Sequence, residues 1–136
     1  MKKSLSLLFL FVIIITLSCD NSKIRDELFQ EVIEVHDTAM LKMQTIMTLK
    51  SKSIKEADSL RDLEDEALVD RIEELEKSQI TLEEANKSMM IWMRAFRPPT
   101  DTVSHEQAME YLRSEFDKIS VVDSLMDQAV ENAKAL

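Results

Sequence analysis

The stretch LVDRIEELEKSQITLEEANKSMMIWMRAFRPP, residues 68–99, places an apolar side chain every seven positions: Leu68, Leu75, Leu82, Met89 and Phe96. Ile72 and Met93 lie beside that line. A seven-residue repeat keeps one stripe of a helix turned toward a partner helix and implies a left-handed supercoil. The run stops at Pro98 and Pro99, which cannot donate to a helix and disfavour helical geometry in the residue before them. These are the only two prolines, and the chain has no glycine. Strand-and-turn architectures depend on such residues, so the chain reads as all-α.

Two more helices flank this one. The first is expected over about 22–52, with Phe29, Val32, Ile33, His36, Met40, Met43 and Met47 on one face. The third is expected over 104–135. It opens on SHEQ, a capping box from Ser104 to Gln107, and turns Leu112, Phe116, Ile119, Met126, Val130 and Ala133 inward. Charge places the break between helices one and two. Lys50, Lys52 and Lys55 suit a helix C-terminus, whereas Asp62, Glu64, Asp65 and Glu66 suit a helix start. SIKE, from Ser53 to Glu56, is a second candidate capping box, and the middle helix is expected over 60–97. Together these predict an antiparallel up-down-up three-helix bundle with coiled-coil-like packing. The alternative is one helix from 22 to 97, an elongated coil.

Residues 1–18 are excluded from the bundle, which is expected to occupy 22–136. Lys2 and Lys3 precede an apolar run, Leu5 to Leu17. At 13 residues the run is shorter than the ~20 that span a bilayer and fits the apolar segment of a signal peptide. It ends at Ser18 and Cys19, the only cysteine. This resembles a bacterial lipoprotein signal, in which a small residue precedes the cysteine that is acylated and becomes the mature N-terminus. Thr16 stands where an aliphatic residue is usual. The resemblance implies lipidation at Cys19, a tether over 19–21, and a home in the cell envelope on either the inner or the outer membrane. Two or more acyl chains give a stable anchor.

Removing Lys2 and Lys3 with the leader lowers the basic count from 17 to 15 against 26 acids, a net charge of −11. Nucleic acid requires a basic face, so no nucleic-acid partner is expected. Without glycine there is no phosphate-cradling loop or nucleophile elbow. With two histidines and no free thiol left after lipidation, the chain reads as a non-enzyme that needs no cofactor.

The stretch EVHDTAMLKMQTIM, residues 34–47, carries His36, Met40, Met43 and Met47 within about 60° of helical arc. Methionine fills irregular core gaps, so the stripe reads first as core. Thioether and imidazole also suit Cu(I) or Ag(I), and His36, Met40, Met43 and Met126 form the alternative soft-metal set. If the two turns centre near residues 57 and 100, facing numbers sum to about 114 and 201. His36 then falls level with Gln79 and Asp123, predicting a buried polar layer in which each satisfies the others. Finally, MMIWMRAFRPP is apolar on more than one side, and Met90, Ile91 and Trp92 are the expected contact surface, with Trp92 closing the end of the bundle as the equal alternative. An envelope protein, or further copies of the chain in a homo-oligomer, would meet it there.

HDTAMLKMQTIMTLK, MMIWMRAFRPP and AMEYLRSEFDKI together resemble small flavobacterial-type lipoproteins labelled "viral A-type inclusion protein". The resemblance covers most of the mature chain and implies a helical envelope lipoprotein, with no catalytic or binding residues attached to it.

Overall fold

The structure, a computed structural model, describes the backbone of residues 2–136 and the side chains of residues 21–136. The proposed leader and the Cys19 side chain therefore lie outside the described side chains. Three long helices follow one another: α1 (Lys2–Arg61), α2 (Val69–Ala95) and α3 (His105–Lys134). A single 3₁₀ turn, Glu66–Leu68, leads into α2. Each helix packs against both others, giving the expected up-down-up bundle. No helix among the described residues is long and apolar enough to cross a membrane.

The break between α1 and α2 falls at Asp62–Asp65, so α1 runs well beyond the expected end at residue 52. Nothing in Lys52–Arg61 resists a helix, and Ala57 adds a buried contact that rewards continuing it. SIKE caps nothing: Ser53 is buried mid-helix, where its hydroxyl donates to the Leu75 carbonyl of α2 at 3.0 Å. The chain turns on backbone hydrogen bonds from Leu63 to Leu60 and from Glu64 to Arg61. Glu64 takes φ 52°, the left-handed conformation that glycine would normally supply. Asp65 then accepts from the Ala67 amide at 2.9 Å and starts the return.

At the other end α2 stops at Phe96, whose backbone is extended ahead of the two prolines. The Arg97 amide donates to the Tyr111 hydroxyl at 2.8 Å, tying this connection to α3. The Ser104–Gln107 capping box forms as expected, with both reciprocal hydrogen bonds present.

The core is built on heptads. In α2 the line through Leu75, Leu82 and Met89 is buried as expected. A second line, Ser78, Ala85 and Trp92, is buried beside it. In α3, Leu112, Ile119 and Met126 are sealed in. In α1 the fully buried line is Val32, Ala39, Ile46 and Ser53; Val32 belongs to the expected face, Phe29 and Met43 of that face pack against the core part-buried, and Ala39, Ile46 and Ser53 lie to one side of it. Of the methionine stripe, Met43 packs against the core, whereas Met40 and Met47 are 39% and 61% exposed and do not fill it. Ala39 explains the offset. A small residue lets neighbouring helices approach closely, and Ile46 then does the filling. Each buried leucine or isoleucine contributes about 1.5–3 kcal/mol of transfer free energy.

Candidate interaction site

Shifting the first turn shifts every level of the bundle. Facing α1 and α2 residues have numbers that add to about 128, as in Ser53 with Leu75 and His36 with Trp92. Against the expected 114, each α1 residue meets a partner about 14 positions later on α2, about 21 Å along the helix. Facing α2 and α3 numbers add to about 207, as in Arg71 with Leu136, rather than 201.

The expected polar layer is lost to that shift. Gln79 donates to Ser53 at 3.4 Å, seventeen residues and about 25 Å along α1 from His36. Asp123 accepts from Lys42 at 2.8 Å, and Asp127, one turn on, holds the same ammonium at 2.6 Å. Lys42 bridges α1 to α3 from the half-buried line Leu28, Val35, Lys42, Leu49. Desolvation pulls its pKa down, but the hydrogen bonds to Asp123 and Asp127 outweigh it, and the pKa lies above the ordinary 10.5. His36 instead takes its sequence neighbour, with Nδ1 2.8 Å from the Asp37 carboxylate.

His36 also belongs to an aromatic cluster at the end of the bundle where α2 meets α3. Its ring lies 5.7 Å from Trp92, which stacks on Phe96 at 4.7 Å. Phe96 in turn faces Phe29 at 6.4 Å and Tyr111 at 6.2 Å. Trp92 is 5% exposed, a core residue rather than the contact surface expected of it. The indole is large enough to reach from α2 into the α1 contact, which the seam angle alone does not reveal. Its Nε1 is buried without a hydrogen-bond partner among the described residues. Of its expected companions, Ile91 is exposed and Met90 half-buried.

The soft-metal set does not converge. Met126 is sealed in the core, level with residues nine beyond His36, or about 14 Å away. Met40 faces solvent and His36 is engaged by Asp37. Among the described residues no group of three or more His, Cys, Asp or Glu is placed to hold an ion.

Two charged residues at inner positions were not expected. Lys42 is one. Glu115 is the other: it is 5% exposed, on the α3 line of Ala108, Val122 and Ala129, and accepts from Lys118 at 2.7 Å. That hydrogen bond, with the attraction of the same carboxylate, raises the Lys118 pKa. Counting heptads outward from the SHEQ cap finds both the line and Glu115 on it.

A further surface feature is the groove between α1 and α2. Ile33, Met40, Met47 and Ile54, seven apart, form a second apolar line on α1 outside the core. Beside Met47 and Ile54 the groove opens to about 320 Å³, with Lys50, Lys55, Glu83 and Asn86 on its walls. Asn86 has its Oδ1 buried and without a partner. Compared with protein-family models, curated proteins and solved structures, the chain matches none.

Proposed function

We propose that this chain is a lipid-anchored helical bundle of the bacterial cell envelope that works through protein contacts, as a binding or structural module. The observation that carries the anchor is the order Lys2, Lys3, the apolar run Leu5–Leu17, and Ser18 directly before the single Cys19. A lone exported cysteine otherwise leaves an unexplained thiol, and acylation accounts for it. The apolar line on the outer side of α1 supports a role in contacts, because a row of exposed large apolar side chains is unusual without a partner. The resemblance to small flavobacterial-type lipoproteins agrees with this reading.

The anchor is tested with Cys19→Ser. The variant is expected in the soluble fraction, since the acidic body has no basic face to hold it to anionic lipid. Membrane fractionation that survives a high-salt wash in the variant would refute lipidation at this residue.

A further inference from the structure

The end of the bundle nearest Cys19 differs from the far end in charge and in what it exposes. Facing α1 and α3 residues have numbers that differ by about 83, as in Lys42 between Asp123 and Asp127, and Phe29 with Leu112 across one cleft. Val103 and Ser104, where α3 begins, therefore lie level with positions 20 and 21 of α1. The α2–α3 connection, residues 97–104, is thus the end face of the bundle, beside the start of the described side chains. It is tied down. The Arg97 amide donates to the Tyr111 hydroxyl, the Arg25 guanidinium lies 3.6 Å from Asp101, and the Val103 amide donates to the Thr100 carbonyl at 3.3 Å. Pro98 and Val103 on this connection are exposed, as is Ile24 one turn along α1.

Charge is balanced at this end. Over residues 21–27 and 94–106, Lys23, Arg25, Arg94 and Arg97 stand against as many acids. The far end is the opposite. Residues 56–76, which make the α1–α2 turn, carry ten acids and two arginines, leaving 16 acids and 15 basic residues for the rest of the chain. Nearly all of the net charge of −9 sits away from Cys19.

Cys19 stands two residues before Asn21, at most about 7 Å off even with the chain fully extended. An acyl group there brings the 97–104 connection to the headgroup layer. We propose that this connection, with the neighbouring turn of α1, is a second membrane contact on which the anchored bundle stands end-on. Pro98, Val103 and Ile24 enter the interfacial layer, and the exposed Arg97 and Lys23 meet lipid phosphates. Three apolar side chains are too few to hold lipid unaided, so the surface works only beside the anchor and a Cys19→Ser chain stays soluble. An anionic bilayer repels the acidic far end and opposes lying flat. The inference rests on the lipid-anchor reading above and adds to it a lipid-facing surface and an orientation.

The test uses the full chain, acylated at Cys19, in vesicles of mixed phosphatidylcholine and phosphatidylglycerol. Acylation consumes the single native thiol, so Val103→Cys, Val121→Cys and Leu63→Cys each offer one site for a nitroxide label. Val121 is exposed on the flank of α3, and Leu63 at the far turn. Each label's collisions with oxygen, which concentrates in lipid, are compared with those of a water-soluble nickel complex. The label at position 103 is expected to be shielded from nickel and open to oxygen, and to lose that shielding when Cys19→Ser is added. The labels at positions 121 and 63 are expected to stay open to nickel. A far turn or flank that is shielded, or a position 103 as open to nickel as in the Cys19→Ser chain, overturns the proposal.

Flotation and mass spectrometry separate the two claims. A chain that floats with the vesicles but leaves position 103 in water keeps its anchor and strikes only the second contact. A chain that carries no lipid at Cys19, or does not float, overturns both.

Discussion

Glu64 sits at φ 52°, where a side chain beyond Cα crowds the following carbonyl at about 1–2 kcal/mol. The chain contains no glycine, so an ordinary residue has to make the turn. Glu64→Gly relieves the crowding but frees the unfolded backbone, an offset of about 0.5–1 kcal/mol. The expected net is a gain of about 0.5 kcal/mol, read from urea midpoints at unchanged slope. A loss would mean that the glutamate side chain holds the turn. Glu115 makes the opposite case. Its carboxylate is buried on a line of alanines and a valine, with Lys118 reaching it from a largely exposed position. Burying a charge with a one-sided partner is unfavourable, so Glu115→Leu is expected to stabilise by about 1–2 kcal/mol. A destabilised variant would show that the carboxylate has a partner worth keeping, for which the buried indole N–H of Trp92, level with it on α2, is the first candidate.

At the scale of elements, the contact between α1 and α3 carries a charged clamp built on a sheltered lysine. Lys42 is about four-fifths sheltered and holds both Asp123 and Asp127, while Asp127 is half exposed. Lys42→Met keeps the stem and removes the charge, leaving Asp123 short of a partner. The expected loss is about 1–2 kcal/mol at neutral pH. Because the ammonium's pKa is higher in the folded chain than the ordinary 10.5, the clamp is complete below that value. Its contribution declines as pH rises through the raised folded value. Denaturation of wild type and variant at pH 7 and again above 10.5 should therefore show their gap narrowing on the alkaline side. A gap that stays constant there would place the stabilisation in the methylene stem rather than the charge.

For the molecule as a whole, the kind of fold was legible because it depends on coarse features. The absence of glycine, a heptad in α2, a proline stop and the SHEQ cap require no knowledge of neighbours. The levels were not legible, since they hang on one turn. Lys50, Lys52 and Lys55 suggested a helix end, but exposed lysines are equally at home mid-helix, and Ala57 and Ser53 found burial instead. Misplacing that turn moved His36 from Trp92 to Gln79 and created a polar layer the fold does not contain. The face of α1 was misread for a related reason. Weighting methionines as core hid Ala39 and Ile46, which continue the buried line from Val32. Periodicity gives the kind of contact, and only packing decides which of two adjacent apolar lines is inside.

The late turn also sets a length. From Asn21 to Arg61, α1 rises about 60 Å without interruption. The bundle is antiparallel up-down-up, so the Asp62–Asp65 turn and Leu136 lie together at the end away from Cys19. Were Cys19 acylated as proposed and the axis held upright, the groove at Met47 would stand about 40 Å above the headgroups, and the turn about 20 Å beyond it. If the proposed anchor forms, such a chain would be a spacer as well as a surface, set to meet partners that stand away from the lipid rather than those lying flat on it.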